Sequence, residues 1–485
     1  MSQIKIGWAE ESITPDKPVL LAGQFFDRIS EYVETPVTAT AMAIETDDMK
    51  LILCGCDLCF TDTALLNAVR EQVCKTTGLL PKEIILSATH THTSLLYDSG
   101  KGTAGGLNVL ERYCPAEEKA PPSSDCMDMV SAFNFLTEQI AKTVCAAWEN
   151  RIPSQISSAF GRAAVGMCRR VMYNDGSAKM WGDTNSPCFT ELEGGNDSGI
   201  ELLYVFDEKE QLTGIVANVS CPSQVVEHRS FISSDYWGKV KQILRKHFGE
   251  DLFLLGLCAA AGDQCPRDMI RWVNPVSPID DPNIKRENYI ERKADPSMFE
   301  IEGTRKVGKR IANEIISVYE EIEEKQLTPV FKHESFMLEL PLRQVTSEQA
   351  DEAKKVLESY SRKKGSAAAD ENAAMHVYAG TLERFEVQQA QKFYPAEIHV
   401  FRLGDIVFAT NPFELFLDYG NRIRALSKAK QTFLIQLSCG SGGYLPTEKA
   451  EIGGHYSAYV SSGFVGHEGG NLLVQKTLEA INNMF

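Results

Sequence analysis

Apolar and polar positions along the chain switch repeatedly between the two-residue period of strands and the 3.6-residue period of helices. The opening stretch reads as strands at Ile4–Trp8, Ala39–Glu45 and Leu51–Cys56, then a helix over Asp62–Thr76 and a strand over Glu83–Ser87. A polar, proline-bearing segment, CPAEEKAPPSSD (114–125), predicts a loop before an amphipathic helix over Met127–Asn150. Strands follow at Gln155–Phe160, Gly199–Phe206 and Thr213–Ser220, a helix at Tyr236–Phe248 and a buried strand at Leu252–Leu257. Beyond a loop-like stretch at 263–295, helices are expected over Gly303–Glu324 and from an N-cap at Ser347 to about Ser361. Val400–Leu403, Gly404-Asp405 and Ile406–Thr410 carry the signature of a hairpin. No repeat and no Gly/Ser- or Pro-rich linker divides the chain. The fold class expected is therefore α/β, mixed, as a single large domain over 1–485, with the part after 330 folding back onto the first.

Composition narrows the function classes. The 485 residues are 43% apolar and 24% charged, as in globular proteins. Acidic residues number 66 against 49 basic, a net charge of −17, and no Lys/Arg run offers a face for nucleic acid. The start lacks the apolar core of a signal peptide, and Leu252–Gly262 is only about half of a ~20-residue membrane span. A cytoplasmic protein with a small-molecule partner is expected, without nucleic acid or a membrane span; a homo-oligomer is left open. The 13 cysteines are too sparse for a disulfide scaffold. Cys54, Cys56 and Cys59 form a C-x-x-C, yet no second pair completes a zinc site, and a buried strand using cysteine as a small hydrophobe explains them better.

Candidate chemistry gathers at the ends of predicted strands. His90-Thr91-His92, in SATHTHTS (87–94), places two imidazoles two residues apart, and on a strand such positions share one face. Two surface histidines in a turn are the plain alternative. GLCAAAGDQCPRD (256–268) is a small-residue turn after an apolar strand, where backbone can approach a ligand. ATNPFE (409–414) ends a strand with Glu414, and SGGYLPTEKAEIGGHY (441–456) sets Tyr444 and Tyr456 among glycines. Turn glycines, a solvated acid and buried tyrosines would each account for one piece; the four together are harder to dismiss.

In that order these segments resemble the neutral/alkaline ceramidases, zinc-dependent amidases with a large mixed α/β catalytic domain. GWAEESITP (7–15) is similar to the family's Gly-x-Ala…Ile-Thr-Pro opening, and SATHTHTS to its Thr-His-Thr-His-Ser. AAAGDQCPRD is similar to Gly-Asp-x-Ser-Pro-Asn, NPFE to Pro-Gly-Glu, and GGYLPT…Y to Gly-Tyr-x-x-Thr…Tyr. The resemblance implies Zn²⁺ held by His90, Glu414 and Tyr444, with His92 catalytic beside it. Tyr456 would donate to a developing oxyanion, and Arg169 in GMCRRVMYNDG would assist near the scissile bond, with Arg170 a close second. Asp263 and Cys265 would contact substrate.

The chain departs from that pattern in three places. Cys221, in NVSCPSQ, stands where the family has a second zinc histidine; a thiolate is a good zinc ligand, and His228 is the substitute. Cys265 replaces the family's serine. The chain ends 29 residues after Tyr456, so the family's C-terminal immunoglobulin-like domain is expected to be absent. Asp235, in SSDYWG, reads either as a carboxylate orienting an imidazole or as a helix N-cap. The function expected is zinc-dependent hydrolysis of an amide or ester on a substrate more polar than ceramide. Two alternatives stand beside it: a ceramidase-like protein that binds a ligand, carbohydrate-derived ones included, without catalysis, and a (β/α)₈ amidohydrolase in which H-x-H supplies two metal ligands.

Overall fold

The computed structural model describes residues 3–100, 109, 112–113, 125–271, 300–322, 324–360 and 369–485. Residues 114–124 of the expected loop, 272–295 of the loop-like stretch 263–295 and Ser361 at the end of an expected helix lie outside the described residues.

The apolar runs read from the sequence assemble into one eight-stranded sheet. Its spatial order is Phe253–Cys258, Leu212–Val219, Gly199–Asp207, Ile152–Arg162, Lys5–Ser12, Thr38–Glu45, Lys50–Cys56 and Ile84–Ala88. Pairing is antiparallel through the middle and parallel at both edges, where Leu212–Val219 meets Phe253–Cys258 and Lys50–Cys56 meets Ile84–Ala88. Ile84–Ala88 is buried throughout, which explains its continuous apolar character. Helices cover both faces. Met129–Glu149 packs through Leu136, Ile140, Val144 and Ala147, a stripe at helical spacing beside Thr63–Thr77. Asp235–Phe248 and Glu300–Tyr319 pack together on the other side, with Val240, Leu244, Val307, Ile311 and Ile315 in one buried cluster.

A second, four-stranded sheet runs Phe331–Pro341, Phe393–Leu403, Ile406–Thr410 and Gln431–Ile435. The expected hairpin is its centre, turning at Gly404 with φ 64°. The two sheets share one apolar cluster, in which Phe408, Phe433 and Ile435 join Val216, Leu255 and Leu257, and backbone bonds tie them at strand ends. Ala88 donates its N–H to the Leu437 carbonyl at 3.2 Å, and Gln436 donates to the Cys258 carbonyl at 3.1 Å. The parallel strands Ile84–Ala88, Leu212–Val219, Phe253–Cys258 and Ile406–Thr410 thereby bring their carboxyl ends toward one another. In open α/β sheets that is where ligands bind.

Most expected boundaries hold within a few residues. The helix expected at Asp62 begins at Thr63, with Asp62 as its cap accepting from Leu65 N at 2.8 Å. The cap expected at Ser347 is Thr346 instead. Its hydroxyl accepts from Gln349 N at 3.2 Å while Gln349 reaches back to Thr346 N at 2.9 Å, a reciprocal box that Ser347 is one residue too late to make. No helix among the described residues is long and apolar enough to cross a membrane.

Candidate active site

Four loops leaving parallel strands build the site. Ile84–Ala88 ends before His90, which adopts φ 63°. The two histidines therefore do not share a strand face, as their spacing suggested; a left-handed residue turns the chain so that both rings point inward. The hydroxyl-rich flanks fix that turn through backbone and carboxylate partners rather than through the rings. Thr89 Oγ1 donates to Asp57 Oδ1 at 3.3 Å, Thr93 Oγ1 to the Ser233 carbonyl at 2.9 Å and Ser94 Oγ to the Thr91 carbonyl at 2.9 Å.

His90 Nδ1 bonds the Cys59 carbonyl at 2.7 Å, which leaves Nε2 facing the cleft. There it lies 3.2 Å from His92 Nε2 and 3.2 Å from Glu414 Oε2. Glu414 and Tyr444 are paired in a short parallel ladder, and the nearby Tyr444 phenol helps to hold the Glu414 carboxyl down. Tyr444 Oη is 3.3 Å from Tyr456 Oη, and Arg169 Nη2 donates to Tyr444 Oη at 3.3 Å. Of the residues singled out from the sequence, His90, His92, Glu414, Tyr444, Tyr456 and Arg169 are thus brought together. Arg170 is not; it pairs with Glu193 at 2.7 Å and holds the carbonyls of Gly454 and Tyr456.

The other expected residues turn their polar atoms to backbone or to other side chains, and Cys265 does so while lying within the field of Arg169. The Cys221 thiol donates to the carbonyls of Val165 and Pro222 at 3.4 and 3.6 Å and packs in the apolar cluster under Asp235–Phe248. Burial pushes that thiol well above its ordinary value. His228, its substitute, faces Glu300 at 3.5 Å. Asp263 points its carboxylate at the helix Leu417–Leu426, accepting from Leu417 N at 2.9 Å, and burial raises it to about 6. The Cys265 thiol donates to the Arg267 carbonyl at 3.3 Å and is pushed up to about 12 by burial. Asp235 accepts from Tyr236 N and Val226 N at 2.7 and 3.0 Å, and burial raises it to about 7. It both opens its helix and pins the loop that carries Glu227.

Glu227 is a residue the sequence reading missed. It is buried, with Oε2 3.4 Å from His92 Nδ1 and Oε1 3.7 Å from Arg267 Nη1. Arg28, also unread, clamps the carbonyls of His92 and Arg229 at 2.8 and 2.7 Å. Gln224 accepts from Arg169 Nη1 at 3.2 Å. Arg267 lay inside the quoted turn and Glu227 six residues after Cys221; nothing in the local pattern marks Arg28.

Electrostatics separate the two imidazoles. Burial works to lower His90, but the Glu414 carboxylate outweighs it and holds the ring well above the ordinary value. His92 is held well below it, by burial first and then by the charges of His90, Arg169 and Arg28. Burial would raise Glu414, yet His90 keeps it ionised and below the usual range. Burial raises both tyrosines.

His90 Nε2, set between the Glu414 carboxylate and His92 with the Tyr444 phenol nearby, offers donors of the kind a divalent cation of the zinc type takes. Ligand atoms of Cys59, His90 and His92 also lie within 4.8 Å of one another, although the Cys59 sulfur sits beside Nδ1 of His90, 3.9 Å away, on the ring edge turned from Glu414. A second such group, Glu397, His399 and Cys439, is already an ion-pair network. Arg70 takes both Glu397 oxygens at 2.6 and 3.1 Å, and His399 shares one at 2.7 Å.

No protein-family model matches the chain, and no curated protein matches it. Solved structures do. A neutral ceramidase from Pseudomonas aeruginosa matches with a TM-score of 0.68 at 15% identity, over 100% of this chain and 75% of that one. A structure described as a ceramidase complexed with C2 matches with the same score, identity and coverage. The chain has a ceramidase-like, mixed α/β fold.

Proposed function

We propose that the protein is a metal-dependent hydrolase of an amide or ester bond, with zinc as its ion. One observation carries this reading: His90 Nε2 stands 3.2 Å from both Glu414 Oε2 and His92 Nε2, with Tyr444 beside Glu414 in the same short ladder. The ceramidase-like fold supports it.

His90, Glu414 and Tyr444 would hold the ion, which supplies Lewis acidity to the carbonyl and acidity to water. The surrounding side chains divide the remaining work. His92 is kept neutral by burial and neighbouring cations, so its Nε2 has a lone pair to accept the proton of the attacking water. Tyr456 and Arg169 stand on the other side as donors to the oxygen that gains charge as the carbonyl becomes tetrahedral. Collapse of that adduct breaks the C–N bond, and the proton held by His92 passes to the departing nitrogen. The sum is one amide plus water giving a carboxylate and an ammonium; an ester gives a carboxylate, a proton and an alcohol. No covalent intermediate is needed. The Cys265 thiol, at about 12, is a poor nucleophile.

Metal analysis with turnover of a water-soluble amide panel tests this. Near-stoichiometric zinc, loss of activity on chelation and recovery on re-addition are expected. Full turnover after exhaustive chelation overturns the reading. One observation favours a second reading: Cys221 stands outside the ligand group, leaving this centre without the fourth ligand expected there. A protein that binds ligand but holds no metal under any condition would support it.

A further inference from the structure

We infer that Arg170 is a positioning residue: by clamping the loop that carries Tyr456, it presents that phenol to the oxygen that gains charge. The inference rests on the hydrolase reading, in which Tyr456 is a donor. Three residues around the tyrosine are left-handed, Gly454, His455 and Ser457, at φ 73°, 72° and 72°. Two of them carry a Cβ, and such backbone persists only where its surroundings over-determine it. Ring contacts do not supply that restraint. Tyr444 and Phe25 each meet the Tyr456 ring edge-on at 5.4 Å, and Phe25 is itself 47% exposed. They steer the ring and leave the main chain beneath it to be fixed by something else.

Arg170 fixes it. The residue is fully buried, and each guanidinium nitrogen is engaged. Nη1 donates to the Tyr456 carbonyl at 3.0 Å and to Ser457 Oγ at 3.2 Å. Nη2 donates to the carbonyls of Gly454 and Ala450 at 2.9 and 3.3 Å, which ties the end of the short helix Glu448–Gly453 to the same cation. Glu193 aims the fork from behind, its two oxygens accepting from Nε at 2.7 Å and Nη2 at 2.8 Å. That bidentate geometry belongs to a guanidinium; an ammonium here would keep Glu193 and let the loop go. The small sheet that carries Arg170, in the order Ala178–Met180, Arg170–Tyr173 and Phe189–Leu192, also grips the loop beside it. Met180 N donates to His455 Nδ1 at 3.2 Å. Burial first, then Arg170 and Lys179, lower that ring to about 4, so it keeps the accepting lone pair. Arg169, one residue before Arg170, donates to Tyr444 Oη at 3.3 Å. Adjacent arginines thus set the two phenols, one at its hydroxyl and the other through its main chain, and the hydroxyls meet at 3.3 Å.

The test reads the Tyr456 ring directly, by fluorine NMR of protein with fluorotyrosine at position 456, and reads its consequence by turnover in protein without the label. Arg170→Lys keeps a charge facing Glu193 and loses the fork. The double variant Arg170→Gln with Glu193→Gln removes both charges, so neither is left buried alone if the single variant does not fold. The fluorine resonance should be a single line in the parent protein and should shift or split in either folded variant. On any amide or ester that is hydrolysed, kcat should fall at least about tenfold with KM changed by less than about twofold. In a Tyr456→Phe background the same change should cost almost nothing more, because the hydroxyl it positions is gone. A folded variant that keeps the resonance overturns the inference, as does an equal loss of rate with and without the Tyr456 hydroxyl. The two readings fail separately. A moved resonance in a protein that hydrolyses nothing sinks the hydrolase reading and leaves Arg170 as the clamp of Tyr456. Hydrolysis that needs the Tyr456 hydroxyl but is indifferent to both Arg170 variants sinks the clamp alone.

Discussion

A left-handed residue at a strand end is what turns two imidazoles inward, since His90 at φ 63° redirects the chain just where the sheet releases it. The space for the second ring is made from outside, by Gly23. Its φ is 94°, and a Cβ there would come within 2.6 Å of His92 Cγ. Gly23→Ala should therefore displace the His92 ring while leaving His90 and Glu414 untouched. The expected result is a roughly 10²-fold loss of kcat with metal content unchanged, since an ångström of misplacement at a reacting group costs about that much. Replacing the ring outright, His92→Ala should keep the metal and lose roughly 10²–10⁴ in rate. Loss of the metal in either variant would make His92 a ligand. Cys221 tests the placement from the other side. Because its thiol is a donor to Val165 and lies in the core, Cys221→Ser should leave metal stoichiometry unaltered. In cobalt-loaded protein, any near-ultraviolet thiolate band should likewise survive that substitution; a band lost with Cys221→Ser would return the thiol to the metal. Six site residues were legible because each stands in a short motif of distinctive composition. Glu227, Gln224 and Arg28 were not, because they meet His92 and Arg169 only through the packing of loops far apart in sequence.

At the scale of elements, legibility followed the strength of the apolar period. Strands buried on both faces, such as Ile84–Ala88, and helices with a clean stripe, such as Met129–Glu149, were read nearly to the residue. The C-terminal helix His467–Asn483 was not read, and its first turn explains why. Gly469 and Gly470 are poor helix formers, but a Cβ at either would strike Val465 or Tyr419 at 2.2 and 2.4 Å, so close packing demands them. The strand Phe331–Pro341 is half exposed and the three-stranded unit Arg170–Tyr173, Ala178–Met180 and Phe189–Leu192 is too short to show a period. Helix Leu417–Leu426 lacks a side-chain cap of its own at Phe416 and borrows one from Asp263, fully across the fold. Asp263 was expected to touch substrate. Its position instead predicts that Asp263→Ala costs about 1–2 kcal/mol in urea unfolding while Asp263→Asn, which keeps the acceptor, costs far less. Equal losses would mean that the charge, and not the cap, is what the helix uses.

At the scale of the whole molecule, the two sheets are tied by backbone bonds at Ala88 and Gln436 and by buried ions that cross between layers. Arg70, on helix Thr63–Thr77, holds Glu397 of the second sheet, while Lys241 and Arg245 hold Glu10 of the first at 2.9 Å each. Burial works to raise both glutamates, and their basic partners (with His399 for Glu397) outweigh it. Each falls from the ordinary 4.5 to about 2. We propose from these ties that the chain unfolds as one domain. The pH dependence follows from the sign of the shift. As acid is added, the unfolded chain takes up protons at about 4.5 while the folded carboxylates resist until about 2. The unfolded state therefore binds more protons throughout that window, and stability present above it drains away across it. Calorimetry should show a single transition whose Tm falls steeply between pH 4.5 and 2. Glu10→Gln should lower Tm at neutral pH and flatten the acid limb, because the proton-linked part of its stability is gone before acid is added. Arg70→Met should cost on the order of 3 kcal/mol, the usual loss when one partner of a buried pair is removed, and should still unfold in one step. Two resolved transitions in that variant would mean that the sheets are separate units joined at a seam, and the single-domain reading would fall with them.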